Sequence, residues 1–133
     1  MATICKELSI HAGAAAVWDA LRDFGAVHER VAPGFVVATQ LDGDARIVTF
    51  GNGTSVREQL IASDDAARRL VYGVVGGRFT HDNASVQVFD AGEGRSRLVW
   101  TRDMLPHELA PAIDALMDQA LGVMKPALER RRG

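Results

Sequence analysis

The chain has 133 residues, 47% of them hydrophobic and 24% charged, and a net charge of -2 at pH 7. That length points to one domain spanning residues 1–133, and that balance to a folded globular protein rather than a disordered one. The near-neutral charge offers no basic face for nucleic acid, and no apolar run approaches the eighteen or so residues a membrane-spanning helix needs.

The single cysteine, Cys5, excludes an internal disulfide framework and fits a reducing, cytoplasmic setting. The N-terminus alternates from Thr3 onward and holds no apolar core segment, so no signal peptide is expected. There is no HExxH, no CxxC and no histidine pair at ligand spacing, so neither a metal nor another cofactor is expected. No GxSxG is present, and the glycine pairs sit in turns instead of opening a helix as phosphate cradles do.

In chain order, Thr3 to Ile10 alternates, with Ile4, Leu8 and Ile10 opposed to Cys5, Glu7 and Ser9: a half-buried strand. Lys6 shares the parity of the apolar set, which places it near a frayed strand end. Ala14 to Asp23 reads as a first helix, its stripe made of Ala14, Val17, Trp18 and Leu21. A second short helix, Ala26 to Val31, ends before Pro33, because the residue preceding a proline avoids the helical region.

From Gly34 the period changes to two. Phe35 to Leu41 and Arg46 to Phe50 flank the turn Asp42-Gly43-Asp44, and Gly51-Asn52-Gly53 turns the chain again. Thr54 to Ala62, Arg69 to Val75, Asp82 to Phe89 and Ser96 to Met104 complete a set of seven strands, joined by tight turns that imply antiparallel pairing. The last stretch, Pro106 to about Arg131, is one long amphipathic helix. Its buried face comprises Leu109, Ile113, Leu116, Met117, Ala120, Met124 and Leu128. Pro111 suits its first turn, with Pro106 to Leu109 as a separate lead-in, whereas Pro126 lies inside the pattern and predicts a kink. The run Arg130-Arg131-Arg132 reads as a solvated helix end whose charge complements the dipole.

This order of elements, strand, two short helices, six strands, long helix, resembles the helix-grip fold of the START-like (SRPBCC) superfamily, which includes the polyketide cyclase/dehydratase-like proteins and the birch-pollen allergen. Val17-Trp18 with Leu21 and Asp23-Phe24-Gly25 resembles the family's VW..L.DFG segment. Arg57-Glu58-Gln59-Leu60, then Asp64-Asp65 and Arg69-Leu70-Val71-Tyr72, resembles its RE.L...DD..R.L.Y segment, and Arg97 to Trp100 its R.VW strand. The likeness covers essentially the whole chain. It implies an α+β fold in which a seven-stranded curved antiparallel sheet wraps around the C-terminal helix. The implied role is holding a small, mostly apolar molecule between them.

Polar residues sharing parity with the buried strand positions are then the ones to watch. Glu58 lies between Val56 and Leu60, Tyr72 between Leu70 and Val74, Asp82 before Ala84 and Val86, and Arg102 between Trp100 and Met104. If these faces are all concave, Glu58, Asp82 and Arg102 converge with Tyr72 beside them, and Glu58 is expected within hydrogen-bonding reach of Arg102. Such a cluster orients a ligand carbonyl or carboxylate, or divides acid and base roles between carboxylates with Arg102 as clamp. A structural ion pair accounts for the same residues. Trp18, Trp100, Met117 and Met124 are core residues or the apolar lining of a cavity. His28 is placed at a cavity entrance or simply on the surface, and His81 at a hairpin end or the mouth.

Three functional readings stay open. One is a binding protein for a small apolar ligand. The second is a cyclase- or dehydratase-like enzyme acting on a carbonyl compound, and the third a dimerising module whose cavity is collapsed. What lines the interior discriminates them.

Overall fold

The computed structural model describes residues 2–130 of the chain. Seven strands form one antiparallel, curved sheet: β1 (Ala2–Ile10), β2 (Val36–Asp42), β3 (Ala45–Phe50), β4 (Ser55–Asp64), β5 (Arg69–Val75), β6 (His81–Asp90) and β7 (Ser96–Leu105). Their order is β1-β7-β6-β5-β4-β3-β2, so the chain meanders from β2 to β7 and the first strand then flanks the last. Glycine or asparagine tightens the connecting turns, and Gly43, Gly53, Gly76 and Gly77 take the positive φ such turns need.

Strand parity decides which side chains go inside. On β6, Asp82, Ala84, Val86 and Val88 are buried and alternate with half-exposed neighbours. On β7 the inward set is Leu98, Trp100, Arg102 and Met104. These rows, with Val48 of β3 and Leu70 and Tyr72 of β5, form the concave face of the core.

Between β1 and β2 the chain makes α1 (Ala14–Arg22), which buries Ala14, Val17, Trp18, Ala20 and Leu21. The expected second helix is instead a 3₁₀ turn, Phe24–Ala26, followed by a single π turn, Val27–Val31. The Ala32 amide donates to the Val27 carbonyl, a five-residue reach that widens the last turn just before Pro33, where the helical region is closed to Ala32.

The long helix α2 (Ala110–Glu129) follows a 3₁₀ lead-in, His107–Leu109, with Pro111 in its first turn. It is one continuous element through Pro126, so that proline does not divide it. Met117, Ala120, Leu121, Met124, Ala127 and Leu128 are buried. Side chains as enclosed as Met117 and Leu128, each 1% exposed, contribute roughly 1.5–3 kcal/mol apiece by leaving water. Leu116, expected on the buried face, is 46% exposed, because it sits at the margin of the apolar stripe. Of the arginine run, Arg131 and Arg132 lie outside the described residues.

Lys6 corrects the reading of a frayed strand end. It stands mid-strand on β1 with inward parity, and its ammonium bridges Asp114 and, at 3.0 Å, Asp118 of α2. Further along, Lys125 Nζ donates to the Ser9 carbonyl at 2.5 Å, and the His11 amide donates to Glu129 at 2.9 Å. These polar straps fix α2 beside the edge strand and leave its other flank facing the concave surface.

Candidate functional site

Because α2 is strapped to β1 at one side of the sheet, its far flank does not close fully on β3 and β4. A hollow of about 490 Å³ remains there. Its wall is mostly apolar: Val48, Val56, Leu70 and Val86 from the sheet, Leu21, Val27 and Val31 from the first helical segments, and Ile113, Met117, Ala120 and Met124 from α2. The mouth is framed by Gly51, Asn52 and Thr54 of the β3–β4 turn opposite Leu116 and Gln119 of α2, all exposed. The hollow is therefore open, which opposes the reading of a collapsed cavity.

Apart from Asn52, Thr54 and Gln119 at the mouth, four polar side chains among the described residues enter this wall: Arg46, Glu58, Tyr72 and Arg102. Arg46 and Glu58 are direct cross-strand partners on β3 and β4, and Arg46 Nε donates to Glu58 Oε1 at 2.7 Å. Their side chains are 6% and 10% exposed. Arg46 also donates to the Phe24 carbonyl at 3.1 Å, and its guanidinium lies 4.0 Å above the Phe24 ring. This is a desolvated cation held by a carboxylate, a carbonyl and an aromatic face.

Arg102 makes the second pair. Its Nε lies 3.0 Å from Asp82 Oδ1 on β6, with side-chain exposures of 9% and 0%, though the contact is not aligned as a hydrogen bond. The other Asp82 oxygen accepts from the Val74 amide at 2.8 Å. Burial pushes the Asp82 carboxyl above its ordinary range, against the opposing pull of Arg102 and of that amide.

Tyr72 stands between the two pairs. Its ring centroid is 5.1 Å from the Arg46 guanidinium and 5.8 Å from that of Arg102. Burial raises its phenol pKa, with Arg102 opposing, so at neutral pH the hydroxyl keeps its proton and is a hydrogen-bond donor. Among the described residues nothing hydrogen-bonds the Tyr72 hydroxyl, the second Glu58 oxygen or the terminal Arg102 nitrogens. The hollow thus has a greasy body and one polar end with unspent hydrogen-bonding capacity.

Of the side chains singled out in the sequence, Glu58, Tyr72, Trp100, Arg102, Met117 and Met124 stand in the wall. Trp18, His28 and Asp82 do not. Trp18 is buried in the core on the inner face of α1 and turns its indole N–H outward to Asp65 at 2.9 Å. His28 Nδ1 lies 3.0 Å from Thr39 Oγ1 of β2, away from the wall. Asp82 sits behind Arg102. The expected Glu58–Arg102 pair is replaced by Glu58 with Arg46 and Arg102 with Asp82, because β5 and β6 both lie between Glu58 on β4 and Arg102 on β7 and space the two apart. Arg46 escaped the sequence reading. It shares parity with Val48 and Phe50, which would have found it, but beside Asp42-Gly43-Asp44 it reads as a hairpin flank. Among the described residues no cluster of histidine, cysteine or carboxylate could hold a metal ion.

The comparisons agree with this architecture. No curated protein matches the sequence. An uncharacterised protein from Bacillus thuringiensis superposes with a TM-score of 0.85 at 16% identity, over 96% of this chain and 98% of that one. A Thermobifida fusca protein solved by NMR is 30% identical, with a TM-score of 0.79 over 97% and 91% of the two chains. Norcoclaurine synthase from Thalictrum flavum, solved with dopamine and hydroxybenzaldehyde, has a TM-score of 0.72 at 19% identity, over 97% and 84%. The family model described as "Polyketide cyclase / dehydrase and lipid transport" matches residues 1–130, and the chain belongs to that family.

Proposed function

We propose that this protein binds a small, mostly apolar molecule in the hollow between the sheet and α2. The observation that carries the reading is the hollow itself, about 490 Å³ with an apolar body and a single polar end. Pockets that hold small molecules have this size and this mixture of lining. The Tyr72 hydroxyl and the Arg102 guanidinium would orient the ligand, while Trp100, Met117 and Met124 would supply adaptable apolar contact. The structural relative that holds dopamine and hydroxybenzaldehyde supports a hollow of this fold accepting small aromatic compounds.

A second reading is favoured by one observation. Glu58 and Tyr72 are both titratable, enclosed and adjacent at one end of the hollow, which is the arrangement a cyclase- or dehydratase-like enzyme acting on a carbonyl compound needs. Glu58 is already engaged by Arg46, and the Tyr72 phenol is held in its protonated form, so the site is better provided with donors than with a base. Binding is the simpler function.

The test is titration with Nile red, an uncharged apolar dye whose emission rises on leaving water. Saturable binding at one site per chain, abolished when Ala120→Phe fills the hollow, supports the reading. No saturable binding, together with no thermal shift across a panel of apolar ligands, overturns it.

A further inference from the structure

Resting on the binding reading above, the charges around the hollow point to the class of molecule it takes. The charged side chains of the wall are Arg46, Glu58 and Arg102, and Asp82 stands directly behind Arg102. Two guanidinium groups and two carboxylates sum to zero. They are also paired locally, at 2.7 Å and 3.0 Å, and every member is buried. The polar end therefore offers hydrogen bonds but no net charge.

We propose that the hollow selects an uncharged ligand with a hydrogen-bonding group and rejects the ionised acid of the same skeleton. A neutral acceptor takes a hydrogen bond from the Tyr72 hydroxyl or the terminal nitrogens of Arg102 and leaves both ion pairs intact. A carboxylate seated there brings a fifth charge into an enclosed space where the two cations are already matched. It can reach the same donors, but both guanidinium charges are already matched, so its desolvation is not fully repaid, and drawing Arg102 from Asp82, or Arg46 from Glu58, strands a buried carboxylate in turn. An ammonium head meets the converse difficulty.

Asp82 is the diagnostic residue, because it acts on the ligand through Arg102 without standing in the wall. Neutralising it leaves Arg102 as an uncompensated cation facing the hollow, which inverts the preference. Asp82→Asn retains a side-chain oxygen to accept from the Val74 amide, a bond the carboxylate makes at 2.8 Å. Glu58→Gln frees Arg46 in the same way on the other side of Tyr72, and serves if Asp82→Asn does not fold.

The experiment measures displacement of Nile red at pH 8 by 2-acetylnaphthalene and by 2-naphthoate, a neutral and an ionised molecule of nearly one shape. In the wild type the ketone should bind about tenfold or more tightly than the acid, the scale expected when a buried charge lacks a partner. In Asp82→Asn or Glu58→Gln the ratio should move toward the acid by about as much or more. Equal or tighter binding of naphthoate to the wild type overturns the proposal. So does a ratio unchanged in both variants while they still unfold cooperatively, and so does a wild type that binds Nile red but neither probe. A wild type that fails to bind Nile red overturns instead the binding reading on which the proposal stands.

Discussion

Arg46 and Glu58 face one another directly across β3 and β4, and their side chains meet at 2.7 Å with at most a tenth of either exposed. Breaking such a pair strands a buried charge, whereas replacing both members by apolar groups of similar volume does not. Glu58→Leu and Arg46→Met alone should each lower stability by roughly 3–5 kcal/mol, and the double variant should lose far less than their sum. Urea unfolding of the four proteins checks this. Additive losses would show that the two side chains do not act as a pair.

Asp82 makes stability pH-dependent in a defined direction. Its folded pKa is raised by burial, so the folded state holds this proton more readily than the unfolded chain. Its contribution is therefore fully present below the unfolded value, about 4, and is lost as pH rises through the folded value. Asp82→Asn lacks that dependence. The stability of the wild type relative to the variant should rise as pH is lowered from neutrality through this window. Chemical denaturation at several pH values measures the difference, and a difference that falls in acid would contradict the assignment.

Gly73 lies on β5 at the point where β6 begins. A Cβ there would run into the backbone carbonyl of Asp82, a contact that no rotamer change relieves. Gly73→Ala should therefore cost about 1–3 kcal/mol, in the range of overpacked sites, and should disturb the Asp82–Arg102 pair. A thermal unfolding midpoint equal to that of the wild type would refute this.

Lys6 ties β1 to α2 through a half-buried side chain, and hydrogen bonds to the carboxylates of Asp114 and Asp118 raise its pKa against the opposing effect of desolvation. Lys6→Met should speed amide exchange in β1 and in the first half of α2. The effect should shrink at high salt, where exposed charges are screened. Exchange rates equal to those of the wild type at low salt would contradict the strap.

The fold was legible because its signals are periodic and repeated. Alternation on β6 and β7 and the three-and-four spacing of Met117, Ala120, Met124 and Leu128 locate each element and its inner face. The inward parity of Glu58, Tyr72, Asp82 and Arg102 was legible for the same reason. Their partners were not. Parity says which face a side chain takes, whereas pairing depends on strand order and register, and the register is what sets Arg46 opposite Glu58. Lys6 misled because a charge with inward parity looks like a strand end until the carboxylates of a helix distant in sequence are brought over it. For Trp18 the pattern left core and cavity lining open, and the core alternative holds: its ring is buried, and its N–H is claimed by Asp65 of the β4–β5 turn.

Native mass spectrometry of the protein as purified from cells tests the occupied hollow most directly. One small apolar molecule should travel with the wild-type chain, leave it on denaturation, and be missing from Ala120→Phe. A bare polypeptide mass in both, with no thermal shift from any member of an apolar ligand panel, would contradict the role assigned to the space between the sheet and α2.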